Sequence, residues 1–142
     1  MNHVAIMAKK SGFIEKILNG TKTIESRWYK HRVKPWDSIE KGEKVYFKYQ
    51  GSKVIASANV SKVLQFSDLT EYKSKEILNE YGAGIGLFLD DYESWCKDKN
   101  YCVLIFLENP LEISEPFQIN KKGFGSASAW LSVDDIQKIR LT

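Results

Sequence analysis

The chain has 142 residues, of which 43% are hydrophobic and 13% aromatic, enough apolar material for a domain-sized core without disulfide or metal staples. With a charged fraction of 27% and a mean hydropathy of −0.36 it has the composition of an ordinary soluble protein, and no stretch approaches the ~18 consecutive apolar residues of a membrane span. The net charge of +3 is unevenly spread: residues 1–62 carry 13 Lys/Arg against 5 Asp/Glu and residues 63–142 carry 8 against 13, so the basic half either meets phosphates or decorates solvated strand edges.

His3 to Ala8 is short and apolar and reads as a first strand. Lys9-Lys10 follows these apolar residues, whereas a secretory signal places its charges first, so a cytoplasmic protein is expected. From Ser11 to Asn19, Phe13, Ile14, Ile17 and Leu18 share one face of a helix, with Ser11 as N-cap and Gly20 as the stop. Thr21 to Tyr29 reads as a strand and Lys30 to Gly42, interrupted by Pro35, as a loop. Lys44–Tyr49 and Lys53–Leu64 are two strands of a hairpin turning at Gln50-Gly51-Ser52.

Ser67 to Tyr81 is expected to be helical, with Ser74 as a cap. Gly82-Ala83-Gly84-Ile85-Gly86 lacks the G-x-G-x-x-G spacing and a preceding strand, so it reads as a turn and no cofactor is expected. Asp90–Lys99 reads as a short acidic helix, Tyr101–Leu107 as a buried strand, and Pro110 and Pro116 bracket an edge strand. Lys121–Ser128 is a Gly/Ser turn, and Asp134–Arg140 a terminal helical turn capped by Ser132. Cys96 and Cys102 are expected to be buried thiols; two cysteines with distant histidines do not make a zinc site, and no metal is expected. Five or six strands with short helices and no regular βαβ alternation predict an α+β fold, a small mixed β-barrel forming one domain over residues 1–142.

The stretch that carries chemistry is Gly20-Thr21-Lys22-Thr23-Ile24-Glu25-Ser26-Arg27. Strand alternation puts Thr23, Glu25 and Arg27 on one face and Ile24 and Trp28 on the other, and Lys22 can swing its stem onto the polar face. Facing a barrel mouth, the three charges would form a partly desolvated cluster; facing water, Glu25 and Arg27 would be a surface pair contributing ~0–1 kcal/mol.

With its G-x-K-x-x-E-x-R pattern directly after the first helix, met by Gly20, Lys22, Glu25 and Arg27, this segment resembles the ASCH domain, a relative of the RNA-binding PUA fold. The order of the remaining strands and the late Pro116-Phe117 and Gly123–Trp130 extend the resemblance over essentially the whole chain. It implies a PUA-like barrel with five or six strands whose cleft gathers the motif residues and meets RNA or a nucleotide. Some ASCH proteins resemble amidohydrolases acting on an acylated cytidine, and others metal-independent ribonucleases. The amidohydrolase branch has a nucleophilic threonine where this chain has Glu25, so only Lys22 has a counterpart here. In a ribonuclease, Arg27 would hold the phosphate, Lys22 would shuttle protons, and Glu25 would act as base or orienting partner.

Aromatics interleaved with cations suggest base-stacking platforms, with Tyr29 or Trp36 as the surface candidates and Lys9, Lys10 and Lys48 as phosphate contacts. The loop with Lys121, Lys122, Ser126 and Ser128 could close one wall of the cleft, or pack Trp130 inward as a plain turn. His3 and His31 are left out of the site. Three readings result: an RNA- or nucleotide-binding module, a small hydrolase, and a protein-interaction adaptor presenting the acidic segment Asp68–Glu115.

Overall fold

The computed structural model describes residues 1–141. The first strand, β1 (Asn2–Met7), is nearly all buried, because its apolar residues serve both faces of the sheet. A tight turn at Lys9–Ser11 leads into α1 (Phe13–Leu18), which seats Ile14 and Ile17 in the core. The residue at the N-cap is Gly12, with φ of 65°, rather than Ser11, which stands one position before it and accepts the Phe13 N–H on its hydroxyl. Gly20, with φ of 85°, turns the chain out of the helix as anticipated.

Strand β2 (Ile24–Tyr29), the hairpin β3 (Lys44–Tyr49) and β4 (Val54–Phe66), the long β5 (Tyr101–Ile119) and β6 (Trp130–Val133) form one curled sheet in the order β2-β5-β4-β3-β1-β6. The two-residue β7 (Arg140–Leu141) pairs with the end of β5. β1 and β3 run parallel; the other pairs are antiparallel. Three register shifts between β4 and β5 supply the curvature that rolls the sheet into a half-barrel. Neither Pro110 nor Pro116 interrupts β5, and the expected buried strand and edge strand are two halves of this one element. The architecture is the α+β barrel type that the alternation predicts.

Strand alternation sorts the apolar residues into three clusters. Ala5, Val45, Phe47, Val103 and Ile105 fill the barrel interior. Ile24, Trp28, Cys102 and Leu104 point outward, against α2 (Glu71–Ile85) and the following turns. On the other flank, Val4, Ile6, Phe117 and Leu131 pack around Ile136. Cys96 and Cys102 are free and buried, and burial pushes the Cys96 thiol up to about 12.

Helix α2 departs from the sequence reading at both ends. Its cap is Thr70, which accepts the Lys73 N–H, and Ser74 lies buried within the helix. The helix continues through Gly82 and Gly84 and stops only at Gly86, with φ of 84°. A Cβ on Gly84 would stand 2.8 Å from Ile24 Cδ1, and one on Gly82 would stand 2.4 Å from the Leu87 carbonyl oxygen. These two glycines therefore buy proximity between helix and neighbours, not a turn. The expected acidic helix is reduced to a short turn at Leu89–Asp91 and a single π-helical turn at Tyr92–Cys96. Near the end, Asp135 caps the Ile136–Lys138 turn, while Ser132 is buried in β6. Among the described residues no helix is long and apolar enough to cross a membrane.

Candidate functional site

The segment leaving α1 is sewn into place by its backbone. Lys22 N–H donates to Lys16 O at 3.0 Å and Thr23 N–H to Gly84 O at 2.9 Å, which fixes where the Lys22 side chain must go. It goes inward and is only 2% exposed. Its ammonium donates to Ile24 O at 2.7 Å and to Ile85 O at 2.5 Å, and stands 3.3 Å from a Glu25 carboxylate oxygen. Ile85 ends α2, so Lys22 satisfies a carbonyl the helix leaves open and places its charge at the negative end of the helix dipole. The Phe13 ring lies 4.5 Å from the same nitrogen. Burial lowers the Lys22 pKa, and the Glu25 carboxylate partly offsets that shift.

Glu25 and Arg27 share the inward face of β2, as alternation requires. Glu25 is buried between two cations: Lys22 on one oxygen and, on the other, the Arg27 Nε–H at 2.8 Å. Arg27 then crosses the open side of the barrel. Its terminal nitrogens make long hydrogen bonds to Ala129 O at 3.3 Å and Ile6 O at 3.4 Å, and its guanidinium lies 5.1 Å from the Trp130 ring centre. Among the described residues β2 makes no ladder with β1 or β6, so this side chain bridges the gap.

Trp130 links this triad to a second polar group. Its indole N–H donates to His3 Nδ1 at 3.2 Å. An indole can only donate, so Nδ1 must be the unprotonated nitrogen, also accepting from Ser132 at 2.9 Å. The ring proton sits on Nε2 and is donated to Glu43 at 2.8 Å. His3 is fully buried, and burial lowers its pKa against the opposing pull of Glu43. A continuous line of contacts thus runs from Lys22 through Glu25, Arg27, Trp130 and His3 to Glu43.

Two hollows open beside this line. A cleft of about 280 Å³ is lined by Phe13, Glu25, Ser26, Arg27, Tyr29 and Trp95, among others. A wider trough of about 800 Å³ is lined by Tyr29, Lys34, the loop 123–129 and Trp130. Tyr29 belongs to both; burial pushes its hydroxyl pKa up, and neighbouring Arg27 partly offsets this.

Of the residues singled out in the sequence, Glu25, Arg27 and Tyr29 line the cleft, and Ser126 and Ser128 the trough. Lys22 stands behind Glu25, away from the opening. Lys9 and Lys10 are exposed on the turn that ends at Ser11, a cleft residue. Lys122 is exposed at the root of the trough loop. Lys121 instead braces that loop from within, donating to Ser126 O and Ser128 O at 3.3 and 3.1 Å. Lys48 is buried on the face of β3 opposite Phe47 and lines neither hollow. Trp36 is no free platform: its ring packs edge-on to Tyr101 at 5.0 Å and its buried N–H has no partner. Among the described residues no three His, Cys, Asp or Glu side chains gather as metal ligands.

Three contributors escaped the sequence reading. Trp95 sits in a strongly polar stretch and is 38% exposed, which was the available signal. His3 is a titratable ring in an otherwise apolar strand, which was its signal although it was left out of the site, whereas Phe13 is one apolar residue of a helix face and does not differ locally from a core residue.

No family model matches the sequence, and no curated protein matches it. Solved structures do match. The chain is similar to the ASCH protein of Zymomonas mobilis, with a TM-score of 0.65 at 16% identity over 96% of this chain and 90% of that one. A crystal structure of a tyrosine-to-phenylalanine mutant of that protein gives a TM-score of 0.66, also at 16% identity, over 96% and 93%. Hypothetical protein PH0355 is similar over 78% of this chain and 100% of its own, with a TM-score of 0.54 and 21% identity. At these identities the likeness is one of fold.

Proposed function

The chain has the ASCH-domain fold, of PUA-like type, and on that premise we propose that residues 1–142 act as one cytoplasmic module that binds RNA or a nucleotide at the cleft and trough beside Arg27. The observation that carries this reading is the inequality between the two cations of the motif. Lys22 has all three N–H bonds directed at Ile24 O, Ile85 O and Glu25. Arg27 is held firmly only through Nε, and its other nitrogens make only long bonds to carbonyls at the lip of two hollows. A phosphate brought to that lip would replace two weak hydrogen bonds with a bidentate, charge-assisted pair. Aromatic rings from Phe13, Tyr29 and Trp95 offer flat apolar surface for a base in the same cleft.

Hydrolysis is the second reading. The lowered pKa of Lys22 favours it, because a poised amine is what proton transfer needs. Its fully occupied hydrogen bonds argue for a supporting role instead. Labelled single-stranded RNA incubated with purified protein, with and without chelator, separates the two readings: retention without shortening is expected, and shortened product would establish turnover. Arg27→Ala is expected to weaken binding by at least tenfold, the scale of one charged hydrogen-bonded contact at ~1.5–3 kcal/mol. Unchanged affinity would remove the basis of the reading.

A further inference from the structure

The fold buries Lys22 beside Glu25 and His3 beside Glu43, but it buries Lys48 beside no group of opposite charge. Strand β3 turns Lys48 outward, away from the cleft and the trough, onto the flank packed around Ile136. Its cross-strand neighbours there are Ile6 on β1 and Val54 on β4, both core residues of that flank. A register shift between Phe47 and Lys48 sets Lys48 opposite Val54 rather than Ile55. The residue is 6% exposed, and among the described residues it makes no hydrogen bond or ion pair. Its nitrogen is not among the buried atoms shut off from water without a partner, which are Trp36 Nε1 and Ser38 Oγ. The stem therefore lies in apolar surroundings, and the amine at its tip meets solvent.

The charge that faces this tip belongs to a second amine. Lys121, just past the end of β5, opposes the Lys48 charge and is itself tied through Nζ to Ser126 O and Ser128 O. Asp135, the carboxylate that acts on Tyr46 two residues earlier in β3, does not act on Lys48. Burial, with Lys121 second, lowers the Lys48 pKa. Desolvation and a neighbouring cation are the two means by which a lysine becomes a nucleophile. Lys48 lines none of the hollows beside Arg27, Trp130 or Val63, so an electrophile that reaches it must be small and must need no pocket. Carbon dioxide is small, linear and uncharged, and it has no leaving group to clear.

We propose that Lys48 is a carbon dioxide site, its Nζ reversibly carbamylated and the carbamate held by the Lys121 ammonium. The Nζ lone pair forms a bond to the carbon of carbon dioxide, one C=O π pair moves onto oxygen, and one N–H proton leaves to water. Nothing is oxidised or reduced. The product puts an anion where the unmodified chain has two facing amines, so repulsion becomes an ion pair. Lys121 meets it with the N–H that the loop does not use. Because Lys121 braces the loop 123–129, the modification couples dissolved carbon dioxide to one wall of the trough, whatever the trough binds.

The test equilibrates the full chain with isotope-labelled carbon dioxide and bicarbonate and looks for a carbamate signal by carbon NMR. A parallel sample is trapped with a trialkyloxonium salt, which esterifies the carbamate so that peptide mass spectrometry locates it. The ester is expected on Lys48 in the wild type, in higher yield than on exposed lysines such as Lys9 and Lys10. Lys48→Met and Lys48→Arg both lack the attacking amine and are expected to carry none at that position. Lys121→Met is expected to lower the fraction trapped at a fixed carbon dioxide pressure by about fivefold, the upper end for an ion pair that meets solvent. The adduct is mapped in the wild-type chain, so the result does not hang on how any variant folds. No ester on Lys48, or a yield no greater than on the exposed lysines, would overturn the proposal and leave Lys48 a buried stem with a wetted tip. An unchanged fraction in Lys121→Met would overturn the part given to Lys121.

Discussion

Glu25 is the residue on which the motif balances, since each of its oxygens faces a different cation and all three side chains are largely withdrawn from water. A buried charge whose partner is deleted costs more than the pair ever contributed, because its desolvation is no longer compensated. Glu25→Gln is therefore expected to destabilise the fold by about 3–5 kcal/mol, read as a lower denaturation midpoint. Lys22→Met removes the buried cation itself and keeps an unbranched stem against Phe13, so a smaller loss is expected from the same measurement. If Glu25→Gln unfolded at the wild-type midpoint, Lys22 would have another source of compensation than the one described. The alternation that sends Glu25 and Arg27 inward was legible from the strand pattern alone. That Lys22 would reach the end of a helix more than sixty residues away was not, since this depends on where α2 docks.

The docking of α2 is an element-scale matter, and its two interior glycines show how sequence signals can mislead. Glycine in a helix costs about 1 kcal/mol relative to alanine, so a cluster of them reads as a break. Here that cost is offset by the close approach to β2, which lets Gly84 O accept the Thr23 N–H and Ile85 O accept the Lys22 ammonium. Gly84→Ala would meet the end of a flexible isoleucine side chain and Thr23 Oγ1, an overpacking expected to cost about 1–3 kcal/mol less the gain in helix propensity. Gly82→Ala would meet a backbone carbonyl that cannot step aside. Thermal unfolding should rank wild type above Gly84→Ala and Gly84→Ala above Gly82→Ala; the reverse order of the two variants would contradict this packing. The length of β5 escaped detection for a similar reason. Its prolines lie beside register shifts in the β4–β5 pairing, where a missing N–H donor does no harm, so a local breaker signal was absorbed by tertiary pairing.

At the scale of the molecule, β1, β3 and β6 converge on His3, and this gives the stability of the fold a direction with pH. Burial holds the His3 pKa below its ordinary 6.5. As pH falls through 6.5 the unfolded chain takes up a proton that the native ring refuses, so stability declines from that point downward to the native pKa. Glu43 acts in the same direction at lower pH. Its slight burial, which would raise the pKa, is outweighed by hydrogen bonds from His3 and from the Glu40 N–H, so its value lies below the ordinary 4.5. Its stabilisation is therefore present above 4.5 and fades as pH falls through the native value. His3→Gln is expected to flatten the slope just below pH 6.5 in urea unfolding series, and an unchanged slope would place the sensitivity elsewhere.

The wall of the cleft that carries Ser94, Trp95 and Lys99 belongs to an excursion that leaves the sheet at the end of β4 and rejoins it at the start of β5. Those strands are hydrogen-bonded neighbours, so the excursion begins and ends side by side. Its cleft-lining positions Ser94, Trp95 and Lys99 lie outside the core cluster that holds Tyr92 and Cys96, so they can be exchanged with no change to the barrel pairing. A scaffold of this kind separates inheritance into two tracks: a conservative frame that keeps the charged triad in register, and a replaceable cheek through which descendants could acquire new tastes.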